Sequence, residues 1–213
     1  MRRHFYIRHA HRLPFAHGDW GNAASITEEG REAAHVLADE LYIAQEAKIF
    51  TSPVKRCVQT AVEIENASGL ESCIETSHLL GDPGFYIHDA KAVSPVFQNH
   101  GIVEILEMIV EGHFLPGFFS YEEGCARMLR AILDQEEEGI SVTHDMNVAL
   151  LACFIFKDFP STDFLPDFLE GIVFTFDRKM IQIVYRDRRI ITELTSFKAM
   201  IDSHSRSACE KRV

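Results

Sequence analysis

Arg8, His9, His11 and Arg12 fall within five residues, directly after the apolar-aromatic run Phe5-Tyr6-Ile7. Farther along, Arg56 follows Ser52-Pro53, and the pair His144-Asp145 follows Ile140-Ser141-Val142-Thr143. These residue types suit a phosphate monoester, which carries close to two negative charges on exposed oxygens. Arginine answers it with a planar guanidinium that donates paired hydrogen bonds and stays charged. An unprotonated imidazole can attack phosphorus in line. A second, protonated imidazole can hold the equatorial oxygens as charge develops. A carboxylic acid beside the leaving oxygen can protonate it.

The surrounding chain predicts elements that would bring these groups together. Residues 4–8 read as a buried strand, followed by a loop containing Gly18, Gly21 and Asn22. Thr27 is placed to cap a helix to about Tyr42, with Ala34, Leu37, Ala38 and Leu41 on one face. Lys48–Thr51 is a second strand, and Pro53 fits the first turn of a helix running to about Asn66. Ser72–Thr76 is a third strand. Residues 78–100 hold Gly81, Pro83, Gly84 and Pro95 and are not expected to be regular throughout. Helices follow at about 101–112 and 121–137, then a fourth strand over 140–143 and a helix from about Met146 to Phe156. Residues 172–176 and 180–185 read as strands joined by a tight turn.

Strands alternating with helices predict an α/β fold: a three-layer sandwich on a mostly parallel central sheet. One domain is expected over residues 1–202, with a helical excursion at about 78–137 over the active site and a frayed tail at 203–213. Ligands of open parallel sheets sit beyond the carboxyl ends of the strands. The Arg8/His9 cluster, the Ser52-Pro53 turn and His144-Asp145 each follow a predicted strand, so all three point to one crevice.

Composition narrows the partners. The chain has 213 residues, a formal net charge of -11 and 46% hydrophobic residues. So negative a chain argues against nucleic acid and against anionic membranes, but leaves room for a small anion bound by local positive charge. The odd count of five cysteines, widely spaced and without a C-x-x-C, fits reduced thiols in a cytoplasmic protein. No apolar stretch follows Met1-Arg2-Arg3-His4, so no signal peptide is read, and Val148–Phe156 is too short for a membrane span. His4, His9, His11 and His17 do not have the spacing of a defined zinc motif, and arginines among them repel a dication, so no metal is expected.

Three motifs in order carry a resemblance to a known family. Arg8-His9-Ala10-His11-Arg12-Leu13-Pro14 resembles the R-H-G-x-R-x-P signature of the histidine phosphatase superfamily, with Ala10 in place of glycine. Ser52-Pro53-Val54-Lys55-Arg56-Cys57-Val58-Gln59-Thr60-Ala61 resembles its S-P-x-x-R-x-x-Q-T-A element. His144-Asp145 is similar to the H-D pair of the acid phosphatase branch, to which the motifs are closer, although the length is mutase-like. The resemblance covers about residues 4–156. It implies a phosphoglycerate mutase-like fold and a phosphomonoester hydrolase working through a phosphohistidine on a small phosphorylated substrate. By position, His9 would be the nucleophile, and Arg8, Arg12, Arg56 and His144 the phosphate pocket. Asp145 would be the general acid, with no metal or other cofactor required.

Other readings remain beside this one. Asp145 also suits a helix N-cap. His11 is the variable position of its motif and is expected on the rim, with Phe15, His88 and His100 as further rim candidates. A phosphomutase of the same superfamily would use a Glu after the third strand, yet Leu79–Gln98 holds only Asp82 and Asp89 as carboxylates. A phospho-ligand binding module without turnover is the non-enzyme alternative. The sequence does not fix an oligomeric state.

Overall fold

The computed structural model describes residues 1–15, 21–70 and 74–210, with only the backbone at 163 and 205–210. His17, Gly18, Ser72 and the last three residues of the predicted tail lie outside the described residues. Seven strands form one sheet in the order β3-β2-β4-β1-β5-β6-β7. They are β1 (Arg2–Arg8), β2 (Lys48–Thr51), β3 (Ile74–Thr76), β4 (Gly139–Thr143), β5 (Gly171–Asp177), β6 (Met180–Tyr185) and β7 (Arg188–Glu193). The helices are α1 (Glu28–Leu41), α2 (Lys55–Ser68), α3 (Ala90–Asn99), α4 (Ile102–Val110), α5 (Tyr121–Leu133), α6 (Asp145–Phe156) and α7 (Leu194–Glu210).

The sheet is mixed. β3, β2, β4 and β1 run parallel, as expected of a chain that returns through helices. β5 then pairs antiparallel with β1, and β6 and β7 continue antiparallel through tight turns. β7 and α7 were not read from the sequence, and α7 carries helix on to Glu210, into the segment expected to be a frayed tail. β7 has only Ile190-Ile191 as an apolar run between its charged ends, too short to mark a strand; one of its edges is paired and one of its faces is exposed.

Strand alternation divides the core into two layers. On β1, Phe5 and Ile7 face α1 and α2, where they meet Ala34, Ala38, Cys57, Ala61 and Ile64. Tyr6 faces the opposite layer, built from α4, α5, α6 and α7 with Phe174, Ile183 and Tyr185 of the antiparallel strands. α6 is buried almost all round between the sheet and the excursion helices, which explains its unbroken apolar sequence. Local signals set the helix starts. Thr27 Oγ1 accepts from Gly30 N at 3.1 Å, Asp89 from Lys91 N and Ala92 N, and Ser120 from Glu123 N. α3 runs on from the Asp89 cap with Pro95 within it. Among the described residues, no helix is long and apolar enough to cross a membrane.

Thr27 also joins α1 to the cluster after β1, because His11 Nδ1 lies 2.8 Å from Thr27 Oγ1. Thr27→Ala should therefore lower unfolding free energy by about 1 kcal/mol, read from a urea denaturation midpoint at unchanged slope.

Candidate active site

β2, β4 and β1 are adjacent and parallel, so the residues that follow them leave the sheet at one edge. Two backbone bonds extend the ladders past the strand ends: His9 N to Thr143 O at 2.9 Å and Ser52 N to Val142 O at 3.0 Å. This register brings together His9, Ser52 and His144, of which the last two are 92 residues apart in the chain.

His9 is buried, with 2% of its surface exposed. Its Nδ1 lies 2.8 Å from the Ala10 carbonyl, which can only accept, so Nδ1 carries the hydrogen. Nε2 is left with a lone pair and accepts from Arg56 Nε at 3.0 Å. Burial, followed by His144, Arg56 and Arg8 nearby, pushes the imidazole down to about 2, against the Ala10 bond. His9 is thus neutral with Nε2 unprotonated, the form a nucleophile needs.

Arg56, near the start of α2, reaches three partners. Besides His9, its Nη1 donates to Gly21 O at 2.8 Å and its Nη2 to His144 Nδ1 at 3.0 Å. With Nδ1 accepting, His144 carries its hydrogen on Nε2 and donates it to Ser52 Oγ at 3.0 Å. Burial and then Arg56 hold His144 down to about 3, with Asp145 opposing. This imidazole is therefore a neutral donor. The sequence reading wanted it protonated, and the difference comes from desolvation beside three guanidiniums.

Arg8 donates to Pro166 O at 2.7 Å and lies 3.2 Å from Asp145 Oδ2. The guanidinium of Arg12 lies 3.4 Å from the Phe15 ring centre, and burial with Arg56 and Arg8 nearby pushes it down to about 10. Among the described residues, the buried Nε atoms of Arg8 and Arg12 have no hydrogen-bond partner. Unmatched donors of this kind are costly unless an anion meets them. Asp145 is the first residue of α6, the N-cap position being His144, and its Oδ1 accepts from Met146 N at 2.8 Å. One carboxylate thus stands against three guanidiniums.

The structure brings together His9, His144, Asp145, Arg8, Arg12 and Arg56. Ala10 is buried and is not among the described residues with positive φ, so the backbone there has no need of glycine. His11 sits on the rim, with its ring 5.0 Å from that of Phe168. Phe15 lines the pocket, whereas His100 pairs with Glu104 and His88 with Phe119. Among the described residues no group of three or more His, Cys, Asp or Glu could hold a metal ion.

Several contributors were not singled out from the sequence. Phe168 lays its ring 4.0 Å from the Arg8 guanidinium and 5.7 Å from the His9 ring. It lies in the loop before β5, where no motif marks it. The second motif also has more than one working residue. Ser52 holds His144, Gln59 Oε1 accepts from Ile26 N at 3.0 Å, and Thr60 Oγ1 accepts from Ala10 N at 3.0 Å. Gly81 opens the excursion at φ +149°, and a Cβ there would land on His144 Nε2 and Ser52 Oγ.

Residues 5–80 match the sequence profile of the Histidine phosphatase superfamily (branch 1). No curated protein sequence matches the chain. Among solved structures, a phosphoserine phosphatase from Entamoeba histolytica, in complex with 3-phosphoglyceric acid, superposes with a TM-score of 0.56 at 15% identity, over 91% of this chain and 96% of that one. A mycobacterial glucosyl-3-phosphoglycerate phosphatase gives 0.54 at 16%, over 91% and 98%. A phosphoglycerate mutase from Bacillus anthracis gives 0.56 at 15%, over 94% and 96%. The profile match thus covers the first two motifs, and the chain as a whole shares the phosphoglycerate mutase-like fold of these structures. The matching profile is that of branch 1, and the acid phosphatase leaning of His144-Asp145 has no counterpart in these matches.

Two outcomes follow from the geometry. Gly81→Ala should weaken binding of vanadate or inorganic phosphate by about tenfold or more, close to 1.4 kcal/mol, in a titration at neutral pH. Both histidines have folded values far below the unfolded value of about 6.5, so from there down toward pH 3 the unfolded chain binds protons that the folded one does not. Stability should fall with acidification across that window, and His144→Asn should flatten the fall, as urea denaturation at stepped pH would show.

Proposed function

We propose that the protein is a phosphomonoester hydrolase that works through a phosphohistidine on His9 and acts on a small phosphorylated substrate. The observation that carries this is the neutral His9 Nε2 lone pair, which accepts from Arg56 and is buried beside Arg8 and Arg12, whose Nε donors have no partner among the described residues. The phosphoryl oxygens take the guanidiniums, and Arg56 Nε moves from His9 to an oxygen. Nε2 then attacks phosphorus as the ester P–O bond breaks, and Asp145 delivers a proton to the departing alkoxide. The Ala10 carbonyl accepts from Nδ1–H and stabilises the positive charge that grows on the ring. Water next attacks the phosphohistidine, with Asp145 as base, and His9 returns to its starting form.

The reading needs no cofactor, because the arginines supply the positive charge that a metal would otherwise bring. Hydrolysis is preferred over mutase action for a local reason. Of the two carboxylates between Leu79 and Gln98, Asp89 caps α3 and Asp82 is exposed, so Asp145 is the acid at hand. Two of the similar structures are phosphatases by name, which agrees. The seven-stranded sheet uses both ends of the chain, which supports a single domain over residues 1–202. Three buried free thiols, Cys57, Cys125 and Cys153, support a cytoplasmic setting.

Acid-quenched reaction with a labelled phosphate monoester should trap label on His9, and His9→Ala should abolish both label and turnover. Retained turnover in His9→Ala overturns the mechanism. Asp145→Asn should slow alkyl phosphates by about 10²–10⁴-fold and aryl phosphates, with better leaving groups, much less. Equal losses would remove Asp145 from the acid role. EDTA should leave the rate unchanged.

A further inference from the structure

β7 ends the sheet. Its inner edge pairs with β6, and among the described residues its outer edge has no backbone partner. Such an edge is a template for another strand, and proteins usually blunt it with charge. Here the charges are ordered in a particular way. Along Arg188-Arg189-Ile190-Ile191-Thr192-Glu193, the side chains of Arg189, Ile191 and Glu193 share the exposed face, and Ile191 is 56% exposed.

Consider a second copy of the same strand laid antiparallel across a two-fold axis. Hydrogen-bonded and non-hydrogen-bonded pairs alternate along such a ladder, and symmetry requires residue i opposite j to match j opposite i. The axis must therefore pass through a residue that faces its own copy. With Ile190 on the axis, Arg189 faces Ile191. With Arg189 on the axis, two like charges meet. With Ile191 on the axis, the two exposed isoleucines meet, and each Arg189 faces Glu193 of the other copy. Opposite charges at facing positions and an apolar pair between them are the cross-strand combinations that stabilise antiparallel sheets.

The side chains are free to make this pairing. Glu193 is exposed and has no partner among the described residues, and Arg189 uses Nη2 on Gln182 of its own β6 at 2.6 Å, leaving its other nitrogens. α7 does not block the edge: Phe197 and Ile201 anchor it in the core layer on the opposite face from Ile191. The β5–β6 surface beside Ile191 offers Gln182 and the part-exposed Met180 to flank the contact.

We propose that the protein forms a two-fold dimer through β7, in the register that places Ile191 against Ile191 and Arg189 against Glu193 of the second copy, joining two sheets edge to edge. A contact of one strand per chain is small, so the dimer is expected to be concentration-dependent.

Sedimentation equilibrium over a wide concentration range tests it. The unaltered protein should pass from monomer to dimer. Arg189→Glu sets two acidic pairs across the axis, and Glu193→Arg sets two basic pairs. Each variant alone should raise the dimer dissociation constant by about tenfold or more, roughly 1.4 kcal/mol. Mixed together, the two variants should form a heterodimer about as tight as the original, because every facing pair is then opposite in charge. A protein that stays monomeric throughout, variants that dimerise undiminished, or a mixture that fails to pair would each overturn the proposal. Circular dichroism melts of both variants should match the original, since both positions are exposed, and phosphatase turnover per chain should be unchanged.

Discussion

The arrangement at the sheet edge depends on one guanidinium. Arg56 donates to His9 Nε2, to His144 Nδ1 and to the Gly21 carbonyl, and so ties together the ends of β1 and β4 and the loop before α1. Those bonds settle the hydrogens on both imidazoles. His9 keeps its hydrogen on the nitrogen facing Ala10, and His144 keeps its own on the nitrogen facing Ser52. A lysine could supply the charge but not three divergent donors held in one plane. The cost is that three guanidiniums stand close together with one carboxylate. Burial first, and then that crowding, lowers the pKa of Arg12, and an arriving dianion relieves the crowding.

Sequence reading reached the parallel half of the fold and the core of the site because both are written locally. Apolar runs at the strands and the cap at Thr27 need only near neighbours. The three motifs follow strands whose order cannot be read from them, yet any arrangement that makes them adjacent and parallel brings their loops to one edge. The antiparallel wing was less legible. β7 holds two isoleucines and a threonine between charged ends, and α7 is polar over much of its length, so neither stands out in composition from an exposed segment. Their order comes from the β6 ladder and from Phe197 and Ile201 in the core, which are tertiary facts.

Ala10 and Phe168 show the same limit at the scale of one residue. A glycine-to-alanine difference in a motif raises the question of φ, and only the backbone answers it: with φ not positive, the methyl group is simply buried against the α1–α2 layer. Phe168 has no motif and no periodicity. It matters because the Leu169 N–H bonds to Arg8 O and the Arg8 side chain to Pro166 O, which draws the whole loop over the arginine. Sequence marks residues that touch the phosphate chemistry more readily than residues that hold those residues in place.

Asp145 joins the site's two tasks. It lies at the first turn of α6 and 3.2 Å from Arg8. In the proposed mechanism a phosphoryl group that takes Arg8 draws that guanidinium from Asp145 and leaves the carboxyl facing the departing oxygen. Proton donation is then linked to occupancy of the pocket. It also explains why the acid can come from α6 rather than from the segment after β3. With no carboxylate to deliver, that segment can approach as bare backbone, and Gly81 lies against His144 and Ser52 where any side chain would collide.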